Sequence, residues 1–139
     1  MYVPWVSRMS SHASKGVTVK RKSPSILIVD DEPSIRNILA SILEDEGFRV
    51  STAGNGREAL DLAKQAPPDI VLTDLMMPIV DGYQLIDGIR EERIPVRAII
   101  AMSAVAVAGD KSPNADLFLA KPFDVELILN SVQSLLSHS

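Results

Sequence analysis

From residue 25 onward the chain alternates between two kinds of hydrophobic pattern. Apolar, strand-like runs occupy 26–29, 48–52, 70–73, 98–101 and 117–119. Between them the apolar residues recur at helical spacing. Ile35, Ile38, Leu39, Ile42 and Leu43 fall at i, i+3, i+4, i+7 and i+8, which predicts one face of a helix. Pro33 suits its first turn and Gly47 its exit. A second helix is predicted from Asn55, with Glu58 three residues on, ending before Pro67 and Pro68. A third starts at Asp81 with Gln84 three residues on, a capping box, and buries Leu85, Ile86 and Ile89. The last starts near Asp124 and carries Ile128, Leu129, Val132, Leu135 and Leu136 on one side. Five strands alternating with helices predict a parallel sheet covered on both faces. In such open sheets ligands sit beyond the carboxyl ends of the strands, at the switch in strand order.

Residues 1–24 fall outside this pattern. They show no sustained period and are rich in Ser, Lys and Arg, so a flexible basic tail is expected, followed by one domain over 25–137. The leading MYVPWV is too short for a signal-peptide core and has no basic residues before it. Met9 offers an alternative start. The tail holds Arg8, Lys15, Lys20, Arg21 and Lys22 and no acid, a charge of +5. Of the 14 bases and 18 acids in the chain, that leaves nine bases against eighteen acids, so the body carries −9. An acidic body argues against nucleic acid as a direct partner, because phosphates are repelled. The basic tail suits a solvated extension, or a contact with an acidic partner or membrane surface.

The remaining bulk properties narrow the class. A hydrophobic content of 46% over 139 residues fits a globular domain. No apolar run approaches the ~18 residues a transmembrane segment needs. The absence of cysteine excludes disulfides and thiolate metal sites and fits a cytoplasmic protein. His12 and His138 lie near the ends, away from every strand end, and take no metal or catalytic role.

The strand ends carry the chemistry. Asp30, Asp31 and Glu32 follow the first strand, Asp74 the third, Ser103 the fourth, and Lys121 with Pro122 the fifth. Singly, each has an ordinary explanation. Acidic runs also occur at Glu44-Asp45-Glu46 and Glu91-Glu92, which are expected to be solvated. Asp74 alone suits a turn before Pro78, and Ser103 or Lys121 alone a loop hydroxyl or a surface charge. Together they place carboxylates, a hydroxyl and an ammonium on one edge of one sheet. Gathered carboxylates favour a hard divalent cation such as Mg²⁺, which accepts phosphate oxygens and reverses the repulsion between the acids. A carboxylate such as Asp74 is also a nucleophile on phosphorus, and Lys121 a point charge for phosphoryl oxygens. Glu32 is expected to lead into the first helix beside Pro33, at that helix's positive end.

The stretches ILIVDDEPSIR, DIVLTDLMMPIVDGYQLI, AIIAMSA and LFLAKPFDVELIL resemble the receiver domain of two-component response regulators. The resemblance covers about residues 25–137 and is specific in combination. It implies a flavodoxin-like (βα)5 fold, a doubly wound parallel five-stranded sheet. It implies that Asp74 accepts phosphate from a phosphohistidine on a sensor histidine kinase or a histidine phosphotransfer protein. Mg²⁺ would be held by Asp30, Asp31 (the more direct of the pair), Asp74 and the backbone carbonyl of Met76. Lys121 would contact the phosphoryl group, and the bond from Lys121 to Pro122 would be cis. Ser103 would swing toward the phosphate and the ring of Phe118 would move inward behind it, a two-state pair that phosphorylation biases. Such a chain is a phosphoacceptor that assists its own transfer rather than an enzyme.

Two features depart from the family pattern. Lys121 follows Ser103 by only eighteen positions, and Gly109 and Pro113 interrupt the segment, so the fourth helix is expected to be shortened or irregular. This puts in doubt the usual signalling face, and Val105 with Val107 either forms a partner patch or packs inward. Met76 and Val105, each two positions after a site residue, cannot orient a water, so slow self-dephosphorylation is expected. The chain stops soon after the last helix, which leads to the expectation that the signal passes to a separate protein. Other classes stay open. A Mg²⁺-dependent aspartyl-phosphate phosphatase or phosphotransferase would need a D-x-D after the first strand and a cap. A nucleotide- or flavin-binding module would need a glycine-rich phosphate loop, which is missing. A receiver-like scaffold without phosphorylation would not need the intact set of five site residues.

Overall fold

The computed structural model describes residues 23–77, 80–103, 114–121 and 124–137. Five strands, β1 (Ser25–Val29), β2 (Arg49–Ala53), β3 (Ile70–Asp74), β4 (Ala98–Ser103) and β5 (Leu117–Ala120), form one sheet in the order β2-β1-β3-β4-β5, all parallel. Among the described residues the helices are α1 (Pro33–Asp45), α2 (Gly56–Gln65), α3 (Gly82–Glu91) and α4 (Val125–Ser137). This is the flavodoxin-like order, with its switch between β1 and β3. The fourth helix expected between β4 and β5 lies in 104–113, outside the described residues, as do the basic tail to residue 22, Val107 and both histidines.

Strand alternation builds two core layers. Ile26 and Ile28 of β1 join Leu39 and Leu43 of α1, Ile70 and Leu72 of β3, and Ile128 and Val132 of α4 on one face. Leu27 and Val29 join Ala59 and Ala63 of α2, Val71 of β3, and Leu85, Ile86 and Ile89 of α3 on the other. β1, β3 and β4 are therefore buried on both sides, which explains their continuous apolar sequence. β2 is an edge strand with Ser51 and Thr52 exposed, which explains why its sequence is mixed. The Asp81–Gln84 capping box is present in both directions.

Two expectations are corrected. Ile38 belongs to the apolar stripe of α1 in sequence but is 59% exposed. It lies about 100° around the helix from Leu39, at the margin of a buried face centred on Leu39 and Leu43. Glu46 was expected to be solvated with Glu44 and Asp45, yet it is 4% exposed. It is the C-cap of α1, where the chain turns back toward β2, and its N–H donates to the carbonyls of Ile42 and Leu43.

Candidate functional site

β1 delivers Asp30 to the carboxyl edge of the sheet. Its N–H still donates to the Ala53 carbonyl (3.2 Å), one rung beyond the strand. Its carboxylate is 0% exposed and bonded at both oxygens. Oδ1 accepts from the Glu32 N–H (3.0 Å) and Oδ2 from Lys121 Nζ (3.2 Å). Asp31 is exposed on the solvent side of the same turn. Glu32 is the N-cap residue of α1 beside Pro33, as expected, but its side chain makes no capping hydrogen bond.

β3 delivers Asp74, which is also buried. Its Oδ1 accepts from the Met76 N–H (3.2 Å) and its Oδ2 from Lys121 Nζ (3.1 Å). Sheet register fixes the spacing of these residues. Asp74 lies beside Met102 and Ser103 beside Ala120. The Leu75 N–H donates to the Met102 carbonyl (2.9 Å), and the Lys121 N–H to the Ser103 carbonyl (2.8 Å). Adjacent strand ends are thus bonded to one another as well as aligned.

The charges are held in one cluster. Lys121 Nζ bridges the carboxylates of Asp30 and Asp74. Burial lowers the Lys121 pKa, but the hydrogen bond to Asp74 and the charges of Asp30 and Asp74 outweigh it, so the ammonium is held above its ordinary value. Three carboxylates against one ammonium leave a formal excess of negative charge. One oxygen from each of Asp30, Asp31 and Asp74 lies within 4.8 Å of the others. An all-oxygen set with one ligand facing solvent fits Mg²⁺, which takes few protein carboxylates and keeps open positions.

The structure brings Asp30, Asp31, Asp74 and Lys121 together and sets Ser103, which is buried, at the neighbouring strand end. Met76 follows the Asp74 turn and is 62% exposed. Phe118 pairs in register with Ala101 and lies half-buried against the core layer of α2 and α3. Pro122, and with it the expected cis bond, lies outside the described residues, as do Pro78 and Val105.

Two residues at the site were not singled out in the sequence. Gly82 donates its N–H to the Leu75 carbonyl (3.0 Å), and a Cβ there would stand 2.3 Å from the Asp74 carbonyl oxygen. No other residue lets α3 start this close to the Asp74 turn. The neighbouring Asp81 was visible, as a cap with Gln84. Arg36 donates from Nη1 to the Asp30 carbonyl (2.7 Å). Nothing in its spacing marks it, because it reaches the site with a long side chain from inside α1. Among the described residues no helix is long and apolar enough to cross a membrane.

Comparison with known proteins agrees with this geometry. Residues 26–133 match the family described as response regulator receiver domain. The chain is 39% identical over 119 residues to Response regulator Rre1 of Synechocystis sp., covering 81% of this chain and 52% of that protein. It is 38% identical over 118 residues to the DNA-binding dual master transcriptional regulator RpaA of the same organism, covering 81% and 49%. The chain spans about half the length of these curated relatives. Among solved structures, the response regulator TrrA of Thermotoga maritima, in complex with Mg²⁺ and BeF, is similar with a TM-score of 0.74 and 32% identity, covering 81% of this chain and 98% of that one. The chain belongs to the response regulator receiver domains, the phosphorylation-based switches of two-component signalling.

Proposed function

We propose that Asp74 accepts a phosphoryl group from a phosphohistidine, carried by a sensor histidine kinase or a histidine phosphotransfer protein, in a Mg²⁺-dependent transfer. The observation that carries this reading is the single ammonium of Lys121 held between two buried carboxylates, 3.2 Å from Asp30 and 3.1 Å from Asp74. A carboxylate oxygen of Asp74 attacks phosphorus, and the P–O bond forms as the P–N bond breaks. The imidazole nitrogen keeps the bonding pair and takes a proton. Lys121 pairs with the charge on the phosphoryl oxygens, and the buried position of Asp74 limits access of water. Asp30, Asp31, Asp74 and the backbone carbonyl of Met76 would hold Mg²⁺, which would supply Lewis-acid neutralisation of phosphoryl oxygens.

Ser103 and Phe118 form the switch. Ser103 donates to a phosphoryl oxygen, and the Phe118 ring moves with it, so that phosphorylation selects between two packings of one strand end. The acidic body favours a protein as the reader of that state. The DNA binding in the name of RpaA is a property of a protein of which the match covers 49%. A cytoplasmic site for the reaction is part of this proposal and is supported by the cysteine-free sequence.

Phosphoramidate, a small donor with a P–N bond, tests this chemistry directly. Incubation with Mg²⁺, followed by phosphorus-31 NMR, is expected to give one acyl-phosphate resonance per chain. The resonance is absent in Asp74→Asn and after chelation of the metal. Catalytic release of phosphate from simple esters would instead establish a phosphatase. After donor removal the acyl phosphate is expected to persist for minutes or longer, because Met76 offers no group to orient water; decay within seconds would contradict that lifetime.

A further inference from the structure

The inference rests on the metal role proposed above for Asp30, Asp31 and Asp74. The Asp31 carboxylate is exposed, and among the described residues no hydrogen bond or ion pair holds it. The backbone of the turn from β1 to α1 sets the Cα–Cβ bond from which it reaches the site. That turn is fastened at three atoms of Asp30: its N–H to the Ala53 carbonyl (3.2 Å), its Oδ1 from the Glu32 N–H (3.0 Å) and its carbonyl from Arg36 Nη1 (2.7 Å).

The third bond has a specific cause. β1 and β2 pair in register from Ser25 with Arg49 to Val29 with Ala53, so the next rung sets Asp30 beside Gly54. In this parallel pair the Asp30 carbonyl would take its donor from the following residue, Asn55, and among the described residues no bond joins the two. The chain is already entering α2, with the Gly54 N–H, which faces away from β1, donating to Glu58 Oε1 (2.8 Å). β2 has left the ladder, and the carbonyl of a fully buried residue has no strand donor. A buried carbonyl without a donor is costly. The guanidinium of Arg36 supplies one from the start of α1. Gly54 also provides the room, since a Cβ there would stand 3.1 Å from Arg36 Nη1.

We propose that Arg36 is a positioning residue for the metal site. By bonding the Asp30 carbonyl it fixes the peptide plane between Asp30 and Asp31 and so aims the Asp31 carboxylate at the ion. The Glu58–Gly54–Arg36 arrangement links the start of α2 to that plane. The positive charge of Arg36 acts in the opposite sense. A guanidinium near the carboxylates weakens their attraction for a cation, so charge alone predicts tighter Mg²⁺ binding when it is removed. Positioning predicts weaker binding, and the two effects differ in sign.

Calorimetric titration of the whole chain with Mg²⁺, without any phosphodonor, separates them. Arg36→Met removes the charge and the donor and is expected to weaken Mg²⁺ binding roughly tenfold or more, the usual effect of losing a group that orients a ligand. Arg36→Lys keeps a charge and a donor and is expected to recover most of the affinity. Gly54→Val displaces the guanidinium without changing the charge and is expected to weaken binding as well. Unchanged or tighter Mg²⁺ binding in a folded Arg36→Met overturns the inference. If Arg36→Met does not fold, wild-type affinity in Gly54→Val overturns it. A wild-type chain that takes up no Mg²⁺ overturns the metal role itself, and this inference with it.

Discussion

Asp30 and Asp74 are buried carboxylates that share one ammonium, and most of the site's behaviour follows from that ratio. Removing Lys121 leaves two buried negative charges with no cation between them. Lys121→Met is therefore expected to lower unfolding stability by about 3 kcal/mol in metal-free buffer, as for the loss of one partner of a buried pair. Mg²⁺ is expected to restore part of it, because the ion offers the carboxylates another positive partner. Urea unfolding with and without Mg²⁺ checks both statements. The pH dependence has a definite sign. The folded pKa of Lys121 lies above the unfolded value, so its contribution is complete below the unfolded lysine pKa of ~10.4 and fades as pH rises through the higher folded value. The stability gap between wild type and Lys121→Met should stay constant from neutral pH to that point and shrink above it. At this scale the sequence was legible where chemistry sits at strand ends. Asp30, Asp31, Asp74, Ser103 and Lys121 were singled out because each follows an apolar run. Arg36 was not, because a side chain acting through a distant carbonyl leaves no periodic trace.

At the scale of elements, α3 shows how close packing constrains a sequence. Gly82 meets the backbone of Asp74 and Leu75, which cannot yield, whereas a Cβ at Gly88 in the same helix would meet the end of the Leu60 side chain at 3.2 Å. Gly82→Ala is expected to cost about 1–3 kcal/mol, as overpacking does, and to slow phosphorylation by shifting the Asp74 turn. Gly88→Ala gains up to about 1 kcal/mol of helix propensity against a movable neighbour and is expected to be no less stable than wild type. Thermal unfolding of the two variants, with phosphorylation rates, distinguishes these outcomes. Element type was legible from period alone, and element ends from caps. The Asp81–Gln84 box is complete, while at Asn55 only half of the expected box forms, because Glu58 turns its carboxylate to Gly54. Burial at the margins was not legible. Ile38 and Glu46 show that a residue's place beside a neighbouring element decides exposure, and a single helix pattern does not contain that neighbour.

For the molecule as a whole, one physical rule made the site readable. Parallel strands all end on the same edge, so residues far apart in sequence meet without any local signal of contact: Asp30 and Lys121, which share a salt bridge, are an example. Strand order is less visible, since alternation of strands and helices is compatible with several orders and only pairing fixes β2-β1-β3-β4-β5. The two core layers follow from that order, and the switch between β1 and β3 places the carboxylates of both strands at one point. The central claim is that this point is a Mg²⁺-dependent phosphoacceptor centred on Asp74. Intact-mass measurement after incubation with an acyl-phosphate donor tests it most directly. The account predicts a gain of one phosphoryl group per chain with Mg²⁺, and no gain with a chelator or in Asp74→Asn. A chain that gains no phosphoryl group under any of these conditions, or gains it equally in Asp74→Asn, would contradict it.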